Sequence, residues 1–293
     1  MRYDNFSAAY RGELRRLLDS SDTLTTSPRG ERTRELLATR FEIAEPYYGG
    51  MYSRGHADLD LHCSGRKWSA GYFAGELCWY LSGSDLVAPI SAYSKFWNGM
   101  SEDGLTVKSA YGARLFRGQF DALEGLLKSD AASRRAVITL LHHDDWIHGK
   151  DVPCTISLQF LLRENLLHLV ATMRSNDVWL GTAYDVPAFL AFQSLLASRL
   201  GVAAGSYVHQ AGSFHLYEKD AGRAEETISG GDGECRGWSE PRWDARNIDD
   251  LLFYEHCVRT DVALPGAGVR LSGFWADVAG VLTKHWAEKR AAR

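Results

Sequence analysis

Residues 152–185 read VPCTISLQFLLRENLLHLVATMRSNDVWLGTAYD. Ile156, Leu158, Phe160 and Leu162 alternate with Thr155, Ser157, Gln159 and Leu161, which is the period of a half-buried strand. Arg163-Glu164-Asn165 then interrupts the pattern, and Leu167, Leu169 and Ala171 resume it. The pattern predicts a β-hairpin. A hairpin brings its open ends together, so Cys154 and Arg174 are expected to be neighbours. A thiol beside a guanidinium is a candidate nucleophile, because positive charge favours the thiolate. On these two residues alone, a buried structural cysteine and a surface arginine are the favoured reading.

Working outward, the chain has 293 residues, 45% of them hydrophobic, with nine Trp, thirteen Tyr and twelve Phe. That is ample for a sizeable core. A net charge of -4 provides no basic field, so nucleic acid is not expected as the main partner, whereas a small anion needs only a local arginine cluster. Cys63, Cys78, Cys154, Cys235 and Cys257 are odd in number and lack CxxC spacing, which suits reduced cytosolic thiols better than disulfides or zinc. The N-terminus has no apolar signal region, and no run is long enough to cross a bilayer. The expectation is a soluble, cytoplasmic protein.

Residues 5–19 carry Phe6, Tyr10, Leu14, Leu17 and Leu18 at helical spacing. The polar segment Thr23–Glu35 reads as a loop, followed by a strand near Leu36–Ile43. Trp68–Leu81 is apolar around a lone Glu76, a carboxylate that needs either a partner or solvent on one helix face. A helix near Gln119–Lys128 precedes Ser133-Arg134-Arg135 and an apolar strand, Ala136–Leu141. His142-His143-Asp144-Asp145 offers adjacent ligands on one short segment, a poor enclosure for an ion, and reads as a polar loop with no metal. Val186–Leu200 has helical spacing, with Asp185 placed to cap it. Residues 202–217 read as strand, Ala221–Arg246 as a polar surface excursion, and Ile248–Arg259 and Leu271–Ala287 as closing helices.

Three separated motifs stand in order and spacing: Pro153-Cys154, Arg174-Ser175-x-Asp177-Val178-x-Leu180-Gly181, and Gly212-x-x-His215-Leu216-Tyr217. Together they resemble the core motifs of thymidylate synthases, strongly over residues 68–217, weakly over 23–67 and not after 220. The resemblance implies an α+β fold with a mixed β-sheet packed in a homodimer and covered by helices, the whole of 1–293 forming one catalytic domain. It implies Cys154 as nucleophile. Gly75-Glu76-Leu77-Cys78-Trp79-Tyr80-Leu81-x-Gly83 is similar to the family's HELLWFLxG helix, whose glutamate organises protons at the pyrimidine. Ala110-Tyr111-Gly112 resembles its VYG turn, which brings Tyr111 into the catalytic set. For the nucleotide the resemblance implies Arg174, Ser175, Asp177, His215 and Tyr217, with Arg29 in a degraded phosphate loop. Arg134 and Arg135 are implied to reach across the dimer interface. For methylenetetrahydrofolate it implies Trp97, Asp177, Leu180, Gly181 and Tyr184, although Met100 stands where a second tryptophan is expected. The ending KHWAEKRAAR does not resemble the family's short apolar C-terminus.

One departure bears on the substrate. Thymidylate synthases carry an asparagine at the uracil ring where this chain has Asp185, which resembles the cytidylate hydroxymethylase branch. An asparagine suits uracil's O4 and N3–H. A carboxylate accepts from cytosine N4–H and from the N3–H of a covalent adduct, or, if protonated, donates to N3. The expected reaction is 5-hydroxymethylation of CMP or dCMP, with CMP favoured because that branch serves nucleoside-antibiotic pathways. Thiolate addition to C6 would make C5 reactive, the folate would supply the one-carbon unit, and water would add in place of hydride. The alternatives are a thymidylate synthase acting on dUMP and a non-catalytic homologue that binds nucleotides or RNA.

Overall fold

The computed structural model describes residues 1–44, 56–57, 59–148, 151–231, 233, 236–264 and 269–292. Strand β1 (Arg2–Tyr3) leads into helix α1 (Phe6–Asp19), where the Asn5 side chain accepts from the Ala8 amide at 2.8 Å as an N-cap. Phe6, Tyr10, Leu14 and Leu17 of α1 are buried, as their spacing predicts.

The polar segment expected to be a loop instead contains β2 (Leu24–Thr26) and the start of β3 (Thr33–Ile43), paired antiparallel from Leu24↔Glu35 to Thr26↔Thr33. A short 3-10 turn, Pro28–Gly30, joins them. Threonine favours strand, and an edge hairpin with both faces polar shows no alternation for the eye to follow. Next come β4 (His56–Ala57), α2 (Ala70–Leu81), α3 (Val87–Ser91), α4 (Phe96–Met100), α5 (Tyr111–Phe116) and α6 (Gln119–Ser129). Strand β5 (Val137–Thr139) is shorter than the apolar run suggests, and a helical turn, α7 (Asp145–His148), follows it.

The central hairpin is β6 (Thr155–Arg163) and β7 (Leu166–Asp177). Glu164 and Asn165 both take positive φ, 50° and 62°, the backbone of a two-residue turn that matches strand twist. A π-helical turn (Val178–Thr182) then feeds α8 (Ala183–Leu200), which returns the chain to β8 (Ala203–Tyr217). Strands β7 and β8 are parallel, so α8 is the crossover helix, and it is buried nearly all round. Pro187 cannot donate to the Ala183 carbonyl one turn back, and the Trp68 indole takes that carbonyl at 2.8 Å.

Among the described residues the main sheet has the order β1-β3-β8-β7-β6-β5, with β2 on β3. Its β1–β3 and β7–β8 pairs are parallel and the others antiparallel, so the sheet is mixed and the fold is α+β, as expected.

The segment expected as a surface excursion is structured: α9 (Ala221–Gly230) and β9 (Trp238–Ser239). Ala224 and Trp238 are fully buried, and Asp60 receives the Trp238 indole at 2.6 Å and the Arg236 amide at 2.8 Å. Polar residues on the outer face of a short helix disguised this. Helices α10 (Ala245–Thr260) and α11 (Phe274–Ala291) pack against α2. Among the described residues no helix is long and apolar enough to cross a membrane.

Candidate active site

The hairpin ends meet as expected. The Arg174 amide donates to the Cys154 carbonyl at 2.8 Å. Its guanidinium donates to the carbonyls of Pro153 at 2.9 Å and Val152 at 2.8 Å, and reaches the Cys154 Sγ at 3.8 Å. Arg174 therefore shapes the turn that presents the half-buried thiol and places positive charge where a sulfur anion would form.

Beside Cys154, Thr155 donates from both amide (3.2 Å) and hydroxyl (2.9 Å) to the Tyr111 phenol oxygen. Tyr111 stacks on Tyr80 at 5.8 Å. Helix α5 comes this close to α2 because Gly112 has no side chain; a Cβ there would lie 2.3 Å from the Tyr80 carbonyl oxygen. Tyr72 donates to Glu76 Oε1 at 2.7 Å, and the Tyr80 phenol lies beside the same carboxylate. The Trp97 indole in turn donates to the Tyr72 hydroxyl at 3.1 Å. Glu76 is only 5% exposed, which rules out the solvent-facing alternative. Burial pushes its carboxyl up to about 7, against the two tyrosine donors that favour the ionised form.

Asp185 lies in the first turn of α8, not at its cap; Thr182 holds that position and the carboxylate accepts from no helix amide. Its Oδ2 accepts instead from the Asn176 side-chain amide at 2.9 Å. Burial and then the neighbouring Glu76 charge hold Asp185 well above the usual carboxylate range, with Asn176 opposing. Asp177 caps the π-helical turn by accepting from the Trp179 amide at 2.9 Å. Burial raises it to about 6, despite those backbone donors and the charges of Lys219 and Arg66.

Strand β8 runs parallel beside this corner, pairing Ser213 with Ser175 and His215 with Asp177. His215 packs edge-on to Tyr217 at 5.4 Å, and burial lowers the pH at which its imidazole takes a proton, with Glu35 opposing. Among the described residues its buried Nδ1 makes no well-formed hydrogen bond, although the Ser213 backbone lies near the ring, so a ligand hydroxyl would satisfy it. Tyr184 meets Tyr72 edge-on at 4.8 Å, so Trp97, Tyr72 and Tyr184 form a connected apolar rim, and Leu180, beside Gly181, is 56% exposed. Tyr184 is also braced by Trp68 at 5.9 Å and by the Ser69 amide at 3.1 Å.

Two of the sequence candidates stand apart. Arg134 and Arg135 are exposed at the start of β5, Arg135 pairing with Asp130 at 3.6 Å. Register places Val137 opposite Gln159, so these arginines sit about seven residues along the ladder from Cys154, roughly 23 Å away. Arg29 lies in the Pro28–Gly30 turn, and its side chain is outside the described set. The loop after β5 contributes structure: Asp145 receives Arg114 through two contacts of 2.7 Å. Sequence reasoning missed Tyr72 and Asn176. Tyr72 was findable, since it stands four residues before Glu76 on one helix face.

A family model described as Thymidylate synthase matches residues 62–236. The Deoxyuridylate hydroxymethyltransferase of Bacillus phage SP01 is 30% identical over 214 residues, 67% of this chain and 53% of that protein. Its namesake in Pseudomonas phage M6 is 30% identical over 152 residues, covering 49% and 43%. The Thymidylate synthase of Bacillus phage phi3T is 27% identical over 151 residues, covering 48% and 54%. The chain thus spans about half the length of the curated relatives it matches. The thermostable thymidylate synthase A from Bacillus subtilis superposes with a TM-score of 0.62 at 19% identity, over 78% of this chain and 86% of that one, which speaks to the fold.

Proposed function

The chain belongs to the thymidylate synthase family, and we propose that it is a pyrimidine nucleotide 5-hydroxymethylase acting on CMP or dCMP with methylenetetrahydrofolate and water. The observation that carries the base assignment is Asp185, a carboxyl held well above its usual range beside Glu76. When protonated, it offers one acceptor for the cytosine amino group and one donor for N3; once the adduct gains N3–H, the ionised form accepts from both. Hydroxymethyl transfer is supported by two relatives named for it.

In this reading Cys154, with Arg174 at 3.8 Å, adds to the pyrimidine C6 and makes C5 nucleophilic. Glu76, poised at about 7, exchanges protons near the ring through Tyr72 and Tyr80, with Tyr111 bracing the turn after the thiol. Ser175 and Asp177 line the nucleotide beside Arg174, and His215 and Tyr217 meet the sugar, where the buried Nδ1 of His215 gains a partner. The connected apolar rim suits a flat folate, and Trp97, Asp177, Leu180, Gly181 and Tyr184 would hold it. When bound, methylenetetrahydrofolate supplies the one-carbon unit. Arg134 and Arg135 lie too far from Cys154 in one protomer to share its site. We therefore read the protein as a homodimer in which they grip phosphate across the interface while Arg29 contacts it from its own loop, each protomer being one catalytic domain.

A second reading, hydroxymethylation of dUMP, is favoured by the names of the two phage relatives. Side-by-side kcat/KM values for CMP, dCMP, UMP and dUMP, with mass identification of the product, separate the two. Asp185→Asn should shift preference toward uracil by roughly ten- to hundredfold, since an amide leaves a buried donor facing the cytosine amino group. Preference of the parent for dUMP, or an unchanged preference in the variant, would sink the cytosine assignment.

A further inference from the structure

Asn176 fills a variable position inside the Arg174–Gly181 motif, yet it is only 2% exposed and both ends of its amide are engaged. Its Nδ2 donates to Asp185 Oδ2 at 2.9 Å, and its Oδ1 accepts the Thr182 hydroxyl. Gly181 leaves room for this contact: a Cβ there would stand 2.8 Å from the Asn176 nitrogen and 3.2 Å from Asp185 Oδ2. Asn176 is anchored in the parallel ladder opposite Phe214, so one side-chain bond ties the end of β7 to the first turn of α8.

A lone carboxylic acid reads a pyrimidine edge ambiguously. Its proton can sit on either oxygen, so it can present donor and acceptor in either order. Cytosine offers an amino donor beside an N3 acceptor, and uracil offers the reverse, so a free acid serves both. An amide N–H directed at one oxygen disfavours the proton there.

We propose that Asn176 is a specificity-determining positioning residue: by donating to Oδ2 of Asp185 it confines that carboxyl's proton to Oδ1, so that the acid reads one order of donor and acceptor. The direction of the preference rests on the cytosine reading of Asp185; the positioning role does not. The groups that face Asp185 are Glu76 and Tyr80 from α2, Tyr111 from α5, Asp177 from β7 and Tyr207 from β8, all of them acids. Asn176 is thus the neighbour that favours the ionised form, and its removal raises the pH at which Asp185 ionises.

Two variants test this independently. Asn176→Leu removes the donor, and Gly181→Ala keeps it but wedges it from the carboxyl. The carbonyl stretch of the protonated Asp185, identified by its loss in Asp185→Asn, is followed by infrared difference spectroscopy as pH rises. In both variants the band should persist about one pH unit higher than in the parent. The kcat/KM ratio between cytosine and uracil nucleotides should fall about tenfold. If the band titrates as in the parent in whichever variants fold, the positioning role is overturned, even where the parent prefers cytosine. If the parent prefers uracil nucleotides but the band moves, the positioning role stands and the base assignment fails.

Discussion

Glu76→Gln should make the protein more stable at pH 8 while removing turnover. Glu76 is almost wholly buried in a helix that is itself buried, and its carboxyl ionises near 7 in the fold against an ordinary 4.5. Below about pH 4 both folded and unfolded chains hold this proton, and the carboxyl costs nothing. Between 4.5 and 7 the unfolded chain has released it while the folded chain keeps it, so stability falls as pH rises. Above 7 the loss is complete and amounts to about 3 kcal/mol. Glutamine is close in shape, carries no charge, and leaves the hydroxyls of Tyr72 and Tyr80 a partner each, because a phenol accepts as well as donates. Urea unfolding at pH 4.5 and pH 8 measures the difference. The variant should be near parity with the parent at the lower pH and ahead by about 3 kcal/mol at the higher. Asp185 retains a smaller dependence of the same sign, since its own elevation owes something to Glu76. A stability difference that does not change with pH would refute a carboxyl held dry at the cost of stability.

Tyr72→Phe removes one of the two donors that favour ionised Glu76, so the Glu76 limb of the kcat/KM profile should move up by about one pH unit; an unmoved or lowered limb argues against the relay. Cys154→Ser should abolish product formation while leaving nucleotide binding by calorimetry within a few-fold, because the proposed phosphate and sugar contacts are made by other residues. Chromatographic detection of appreciable product would remove Cys154 from the nucleophile role. Mixing inactive Cys154→Ser and Arg135→Ala subunits should restore part of the activity in hybrid dimers, since one site then carries neither lesion. Confirmed exchange without recovery would place the arginines outside the partner's site.

Legibility in the sequence followed local pattern. The hairpin from Thr155 to Asp177 was readable because its alternation is clean and Glu164-Asn165 accepts a tight turn. The crossover helix could be read at Val186–Leu200, but its true start at Ala183 could not, because Pro187 argues for a late beginning and only Trp68, distant in sequence, relieves the lost bond. The polar helix α9 and the buried Trp238 were hidden for the opposite reason: glycines and charges dominate that stretch, and its few apolar side chains are used by elements far away. Asn176 could not have been found from strand period, since alternation assigns it to the open face with Arg174, and only the arrival of Gly181 and Asp185 over the strand end buries it.

The arrangement divides the site chemically. Arg174 is a cation fixed by backbone carbonyls on the sulfur side, where the proposed reaction develops an anion. The opposite side is lined by Glu76, Asp177 and Asp185, each raised chiefly by burial. The charges of Lys219 and Arg66 oppose the rise at Asp177, whereas among the described residues no cation opposes it at Glu76 or Asp185. In the proposed reaction the separation lets Arg174 favour the sulfur anion that adds to C6, while Glu76, poised at about 7, is divided between acid and carboxylate near neutrality and so serves either to give a proton or to take the one that leaves C5.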